Sequence, residues 1–200
     1  FRLGNSRYLV IEADEWNRSF WHYHPAIAVI TNVDKEHLDT YQNLRGVINA
    51  FNHYIKNLPM GATTVINAED KSSVLASKGC QCKLGLYNKK GRLPELWPLN
   101  IPGYFNQLNA EAAWQAANIL GVKKSVAQEA VAKYMGSWRR LEQLGLPTLL
   151  SRGEDLRGIF YSDYAHHPNE IRATIKALKE KYPNKKLLVV FQPHQAERLT

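Results

Sequence analysis

Two short apolar runs near the start of the chain each lead directly into a cluster of acidic side chains. Residues 8–11 precede the acidic segment 12–15, and residues 26–30 precede residues 31–39, which include His37. A short run rich in β-branched residues and without helical periodicity predicts a buried strand of a parallel sheet. Because open α/β sheets bind ligands at the carboxyl ends of their strands, we expect carboxylates and an imidazole to meet there. Oxygen ligands of this kind suit Mg²⁺ beside phosphate, and solvated loop charges are the structural alternative.

The spacing of apolar residues along the rest of the chain predicts strands that alternate with helices. It predicts helices over residues 44–58, 70–77, 106–120 and 125–134 and one that begins at Pro168, and strands over residues 8–13, 26–32, 63–67, 83–87, 148–150, 158–162 and 186–191. This alternation predicts an α/β fold with a mostly parallel sheet flanked by helices. A connector that is first basic and then acidic, residues 137–145, predicts a domain boundary near residue 145.

The composition excludes several classes of protein. No apolar run approaches the roughly 20 residues of a membrane span. The net charge of +8 favours an anionic partner, but basic residues are not interleaved with aromatic ones, so a phosphorylated small molecule is expected and nucleic acid is not. The spacing of Cys80 and Cys82 suits neither a disulfide nor a zinc site, so we expect reduced thiols and a cytoplasmic location.

Four separated motifs contain most of the side chains that could bind a ligand or take part in catalysis. They are residues 12–15 (EADE), residues 31–41 (TNVDKEHLDTY), residues 102–110 (PGYFNQLNA), and residues 161–170 (YSDYAHHPNE) with residues 191–194 (FQPH). In this order and at these spacings they resemble the Mur ligases of peptidoglycan synthesis. The resemblance implies a central ATP-binding domain over residues 1–145. It also implies the first strand-helix-strand unit of a Rossmann-like C-terminal domain over residues 146–200.

The resemblance also implies a reaction, which is ATP-dependent amide bond formation. With Mg²⁺ and ATP, the carboxylate of UDP-N-acetylmuramate becomes an acyl phosphate, and the amine of L-alanine then displaces the phosphate. Catalysis of phosphoryl transfer is mainly positioning and charge neutralisation. Two alternatives stay open. One is the related ligase that attaches a recycled tripeptide to the same sugar nucleotide, and the other is a non-catalytic module that binds an anionic nucleotide or nucleic acid without a metal.

Roles for the acidic segment and the histidine follow from the same resemblance. It implies that Glu12 and His37 are Mg²⁺ ligands, either directly or through water. A carboxylate and a neutral imidazole at adjacent strand ends can hold an ion beside phosphates. For Asp14 and Glu15, a solvated or helix-capping role is an equally good explanation.

Four residues resemble the nucleotide contacts of the family. Asn106 and Asn109 match asparagines that contact adenine, and an Asn side chain both donates and accepts, as the adenine edge requires. A helix-capping role is the structural alternative for Asn106. Arg140 matches an arginine that reaches the ATP phosphates, for which a guanidinium fork is well suited. Asp163 resembles a further residue that contacts the nucleotide.

The substrate contacts implied by the resemblance lie in the last third of the chain. Tyr164 and His166 match positions that contact the amino-acid substrate, and we expect His166 to position the amine rather than to deprotonate it. Arg198 matches the second arginine of the motif that follows residues 191–194. Gln195 stands where the first arginine of that motif is common, which removes one possible charge contact.

A phosphate-binding loop of the form Gly-x-x-Gly-Lys-Thr/Ser does not occur in the 200 residues. The family carries this loop upstream of the segment that resembles the present chain. Its main-chain amides and lysine cradle the phosphates of ATP. We therefore expect the 200-residue chain alone to have little or no ligase activity.

Overall fold

The computed structural model describes residues 4–89, 96–144 and 158–193 of the chain. Its contacts divide the chain into two units, Phe1–Leu93 and Pro94–Thr200. The domain boundary predicted near residue 145 and the strand predicted over residues 148–150 lie outside the described residues, so both stay predictions. None of the described helices is long and apolar enough to cross a membrane.

Three parallel strands form the sheet of the first unit, in the order β1-β2-β3. β1 spans Ile27–Ile30, β2 spans Thr63–Asn67 and β3 spans Lys83–Tyr87. The central strand β2 pairs on both sides, and its residues Thr64, Val65 and Ile66 are at most 1% exposed. Such burial is expected for a β-branched strand in the middle of a parallel sheet. Because the strands are parallel, their carboxyl ends lie along one edge of the sheet.

The helices that precede and connect these strands in the sequence pack against the sheet. A 3₁₀ helix (Trp16–His22) precedes β1, α1 (Leu38–Tyr41) and α2 (Leu44–Lys56) follow it, and α3 (Lys71–Ala76) follows β2. The apolar residues of α2 recur at three- and four-residue steps, so Val47, Ala50 and Tyr54 fall on one buried face. This face joins Phe20 and Ile30 in the hydrophobic core of the unit.

The described part of the second unit contains three helices and a small antiparallel sheet. α4 spans Tyr104–Ile119, α5 spans Lys124–Ala132 and α6 spans Pro168–Lys181, while β4 (Glu142–Leu144) pairs with β5 (Phe160–Ser162). The main chain of Trp97 exchanges two hydrogen bonds with the side chain of Gln107, at 2.7 and 3.2 Å, which ties the preceding loop to α4. α6 begins with a capping box formed by His167 and Glu170, with Pro168 in its first turn.

The predicted α/β fold with a parallel sheet flanked by helices is confirmed, and β2 and β3 occupy the predicted residues. The strands predicted over residues 8–13 and 186–191 are wrong. Among the described residues no strand pairs with either segment, and Val10 and Val190 are 93% and 92% exposed. A β-branched composition favours an extended chain, but a strand also requires a hydrogen-bonded neighbour. The strand-helix-strand unit predicted for the second domain is therefore observed as β5 and α6 only.

Asp70 joins two segments of the first unit, and its replacement gives a test of the fold. Asp70 is the N-cap of α3, and its Oδ2 atom accepts from the main-chain N–H groups of Val33 (2.9 Å) and Ser73 (3.0 Å) and from the buried Ser73 hydroxyl. We expect Asp70→Ala to lower the free energy of unfolding by about 3 kcal/mol, because a cap is lost and buried donors lose their acceptor.

Asn43→Ala is the matched control for this substitution. Asn43 caps α2 by accepting the N–H of Gly46 at 3.0 Å, so its loss should lower the free energy of unfolding by only about 1 kcal/mol. Urea unfolding of both variants measures the difference. Equal losses would contradict the role of Asp70 in holding the segment after β1.

Candidate functional site

Three potential ligand side chains converge in the first unit. Asp14 and Glu15 lie just before the 3₁₀ helix, and His37 lies just before α1. One ligand atom from each of these residues lies within 4.8 Å of the others. The Nε2 atom of His37 is 3.3 Å from Oε1 of Glu15. Glu15 and His37 are half-buried and Asp14 is exposed. These three residues are called the acidic cluster.

A tight turn after the acidic residues holds them in place. Asn17 and Arg18 have φ values of 49° and 59°, which residues other than glycine rarely adopt. The N–H of Arg18 donates to the carbonyl of Glu15 at 3.0 Å, and the N–H of Phe20 donates to the carbonyl of Asp14 at 3.0 Å. These bonds offset a backbone strain of roughly 1–3 kcal/mol per residue.

The first turn of α1 presents His37. The residue has a left-handed backbone conformation, with φ 50°. Its carbonyl accepts the N–H groups of Thr40 and Tyr41, both at 2.9 Å. The imidazole is thus attached to a short, hydrogen-bonded turn rather than to an open loop.

The segment between β1 and His37 is fixed by two contacts from the rest of the first unit. Asp70 accepts the N–H of Val33 at 2.9 Å. The hydroxyl of Tyr87 donates to the carbonyl of Thr31 at 3.1 Å. Burial, followed by the nearby charge of Asp70, raises the pKa of Tyr87 to about 12, so this hydroxyl remains a protonated donor. The sheet therefore sets where the His37 segment leaves β1.

The acidic cluster has the donor set of a divalent-cation site. Two carboxylates offer the hard oxygen ligands that Mg²⁺ prefers, and an imidazole nitrogen can complete the set when neutral. Glu12, which the resemblance paired with His37, is exposed and lies outside this group. The geometry thus brings Asp14 and Glu15 to His37, while Glu12 stands a few residues earlier in the same acidic segment.

In the second unit Arg140 lies in a strained loop between α5 and β4. Its neighbours Arg139 and Leu141 have φ values of 53° and 47°. The carboxylate of Asp163 stabilises this loop, because Oδ2 accepts the N–H of Leu141 at 2.8 Å and Oδ1 accepts the N–H of Ala165 at 2.6 Å. Asp163 therefore joins the Arg140 loop to the segment that follows β5.

Tyr164 lies among cationic side chains. The guanidinium carbons of Arg139 and Arg140 are 5.0 and 5.9 Å from the centre of its ring, and the ring of His166 meets it edge-on at 5.0 Å. Glu170 is 3.8 Å from Nη1 of Arg140 and 3.9 Å from Nδ1 of His166. The two guanidinium groups offer forked donors that suit phosphate or carboxylate oxygens. These five residues are called the cationic cluster.

The two asparagines lie in the first turns of α4. The side-chain amide of Asn106 donates to the carbonyl of Pro102 at 2.6 Å, and its main-chain N–H donates to Gly103 at 3.1 Å. The helix-capping role considered as the alternative for Asn106 is wrong, because Gly103 is the N-cap of α4 and no side chain caps it. Asn106 lies within the first turn of the helix instead. Asn109 is exposed on the next turn.

Two family models match the chain. The Mur ligase middle domain matches residues 3–93, and the Mur ligase, glutamate ligase domain matches residues 150–199. This chain belongs to the Mur ligase family. The resemblance that the four motifs indicated is confirmed.

Individual relatives of this Mur ligase chain cover nearly all of it. The UDP-N-acetylmuramate--L-alanine ligase of Caldicellulosiruptor bescii is 33% identical over 100% of this chain and 47% of the relative. That of Aquifex aeolicus is 36% identical over 98% of this chain and 47% of the relative. The solved structure of the Thermotoga maritima UDP-N-acetylmuramate-alanine ligase has a TM-score of 0.66 at 26% identity, covering 87% of this chain and 43% of that one. The chain spans about half the length of the curated relatives it matches.

The structure of this Mur ligase chain brings several predicted site residues together. In the second unit the predicted residues Arg140, Tyr164 and His166 share the cationic cluster, and Asp163 supports the Arg140 loop. Arg198 lies outside the described residues. The roles assigned to these residues by resemblance, and those of Glu12, His37, Asn106 and Asn109, stay predictions.

Glu170 is the residue that sequence reasoning missed. Its carboxylate accepts the N–H groups of His166 (3.2 Å) and His167 (3.3 Å) in addition to its contacts with the cationic side chains. A sequence signal was available, because Pro168 marks the first turn of a helix and a Glu three residues after His167 fits a capping box. The capping pattern does not show that Glu170 also contacts Arg140 and His166, the neighbours of Tyr164.

Proposed function

We propose that this Mur ligase chain forms part of an ATP-dependent ligase that joins L-alanine to UDP-N-acetylmuramate. The observation that carries the proposal is its match, over 98–100% of its length, to curated relatives of that name at 32–36% identity. In such a reaction the acceptor carboxylate takes the γ-phosphoryl group of ATP. The amine then attacks the acyl carbon and phosphate leaves.

Arg140 is proposed to neutralise charge on the transferring phosphoryl group. Its loop is held by Asp163, and its guanidinium lies beside Tyr164 and Glu170. A guanidinium that is already oriented costs no reorganisation when charge develops on the phosphoryl oxygens. The contact with Glu170 is long and Arg140 is 56% exposed, so that pair contributes under about 1 kcal/mol and releases the arginine to a phosphate at little cost.

The cation site is proposed to consist of His37 and the acidic segment 12–15. A bound Mg²⁺ would neutralise charge between the phosphates. His37 supplies a neutral ring nitrogen, and the segment supplies carboxylate oxygens within a turn that already holds them together. The resemblance favours Glu12 as the carboxylate ligand, and the geometry favours Glu15.

His166 is proposed to position the attacking amine. Its Nδ1 atom is 2.9 Å from the carbonyl oxygen of Tyr164. A carbonyl only accepts, so Nδ1 donates to it, and in the neutral ring the lone pair is then on Nε2. An acceptor nitrogen suits contact with an amine N–H. Glu170 and the ring of Tyr164 keep the imidazole in this orientation.

Contacts to the nucleotide base are proposed for the start of α4. Asn109 is exposed and offers both a donor and an acceptor to an adenine edge. Asn106 already donates to Pro102, so its oxygen is the atom proposed to face the base. Asp163 is proposed to act mainly through the loop that it supports, and Tyr164 and Arg198 are proposed to contact the amino-acid substrate.

A ligation assay with the whole protein that the gene encodes tests the proposal directly. With ATP, Mg²⁺, UDP-N-acetylmuramate and L-alanine, we expect ADP, phosphate and UDP-N-acetylmuramoyl-alanine in equal amounts. Omission of either UDP-N-acetylmuramate or L-alanine should abolish phosphate release. Ligation of a tripeptide in place of L-alanine would instead favour the recycling ligases. Absence of ligation together with salt-dependent nucleic-acid binding would favour a non-catalytic module.

Neighbouring arginines provide a matched pair of variants. Arg139 and Arg140 are both exposed and both lie over Tyr164. We expect Arg140→Ala to lower kcat/KM for ATP by about 100-fold, because a preorganised charge contact to phosphate is lost. Arg140→Lys keeps the charge but not the fork and should fall between this variant and the unsubstituted protein. Arg139→Ala should have a much smaller effect, and equal losses in the two alanine variants would contradict the role of Arg140.

Two glutamates of the acidic segment can be compared in the same way. Glu15 lies 3.3 Å from His37, so the geometry predicts that Glu15→Gln weakens Mg²⁺ binding more than Glu12→Gln does. The loss should be at least the roughly 10- to 100-fold that removal of a supporting contact costs. Calorimetric titration with Mg²⁺ measures both. A larger loss for Glu12→Gln would contradict the geometric assignment and support the one made by resemblance.

A further inference from the structure

Tyr41 is the last residue of α1, and its hydroxyl crosses to the acidic cluster. The side chain is 4% exposed, and its hydroxyl donates a hydrogen bond to the main-chain carbonyl of Glu15. A carbonyl oxygen only accepts, so the phenol is the donor of this bond. The two residues are 26 positions apart. The bond therefore joins the two chain segments that form the cluster.

The same helical turn also carries His37. The carbonyl of His37 accepts the N–H groups of Thr40 and Tyr41, both at 2.9 Å, so His37 and Tyr41 form one hydrogen-bonded unit. Nε2 of His37 lies 3.3 Å from Oε1 of Glu15. Glu15 is therefore held twice by this turn, through its side chain by His37 and through its main chain by Tyr41.

The carbonyl that Tyr41 holds belongs to the strained turn after Glu15. It also accepts the N–H of Arg18 at 3.0 Å, and Asn17 and Arg18 both have positive φ. These local bonds order the turn within itself. The Tyr41 hydroxyl instead joins the turn to α1 and so sets its distance from His37.

The start of α2 supports Tyr41 from the other side. A Cβ on Gly46 would overlap the main-chain carbonyl oxygen of Tyr41, so only glycine allows α2 to begin this close. Asn43 caps α2 by accepting the N–H of Gly46 at 3.0 Å. Tyr41 thus lies between a capped helix and the acidic cluster, with its ring in the hydrophobic core.

We propose that Tyr41 is a positioning residue for the cation site. Its hydroxyl holds the acidic segment 12–15 at ligand distance from His37 and thereby increases the affinity of the cluster for a divalent cation. The inference rests on the proposed function, because it takes the acidic cluster to be the cation site. Tyr41 acts through Glu15, because its buried side chain leaves little surface for a ligand.

The variant Tyr41→Phe removes the hydroxyl and keeps the buried ring. We expect the Kd for Mg²⁺ and for Mn²⁺, measured by calorimetry on the protein expressed from its own gene, to rise about 10- to 100-fold, as for other supporting contacts of metal ligands. The apparent KM for Mg²⁺ should rise to the same extent while kcat at saturating Mg²⁺ changes little. The increase in unfolding temperature that Mg²⁺ produces should shrink relative to the cation-free value of the same variant.

Tyr54→Phe is the matched control for this experiment. Tyr54 is 7% exposed and lies in the same hydrophobic core as Tyr41. Its replacement also removes a buried phenol hydroxyl, while the hydroxyl that holds Glu15 stays in place. Its Kd for both cations should equal that of the unsubstituted protein. An unchanged Kd in Tyr41→Phe, or equal weakening in the two variants, would overturn the inference. No cation binding by the unsubstituted protein would instead overturn the proposed cation site, and the role of Tyr41 with it.

Discussion

Parallel pairing of β2 with a strand on each side is the constraint on which the first unit depends. Thr64, Val65 and Ile66 are buried because both faces and both edges of β2 are covered. The pairing fixes the carboxyl end of β1, and Asp70 and Tyr87, which follow β2 and end β3, bind the segment that leaves it. These contacts fix the main chain at Thr31 and Val33, a few residues before His37. The sheet therefore helps to position His37 independently of the acidic side chains.

Backbone strain concentrates where chemistry is proposed. Among the described residues other than glycine, seven have positive φ, and five of these flank the two clusters: Asn17, Arg18, His37, Arg139 and Leu141. Each costs roughly 1–3 kcal/mol and persists only where surrounding contacts determine it. In both units a carbonyl or carboxylate supplies such contacts, from Glu15 in the first and from Asp163 in the second. Rigid turns of this kind hold charged groups close together before a ligand arrives.

Short apolar runs and turn residues in the sequence were enough to predict two strands of the first unit. β2 and β3 were predicted to the residue. β2 is a β-branched run between turn residues, and β3 is a short segment between turn residues with leucines at alternate positions. Residues 8–13 also contain a short apolar run and are not a strand, since pairing depends on a distant partner that local composition does not encode. The site follows the same division. The family resemblance predicts roles for Arg140 and His166 from motifs. The two contacts that hold Glu15 and the contacts of Glu170 depend on tertiary structure instead.

The conformation of the acidic segment decides which of its carboxylates can face His37. In an extended strand, side chains alternate, so Glu12 and Asp14 would share one face and Glu15 would point to the other. In the turn observed here, Asp14 and Glu15 both approach the imidazole. The identity of the cation ligands is therefore coupled to whether residues 8–13 pair as a strand. As a strand, the segment would turn Glu15 away from the face that carries Glu12 and Asp14, so the carboxylates proposed to bind a cation would change with it.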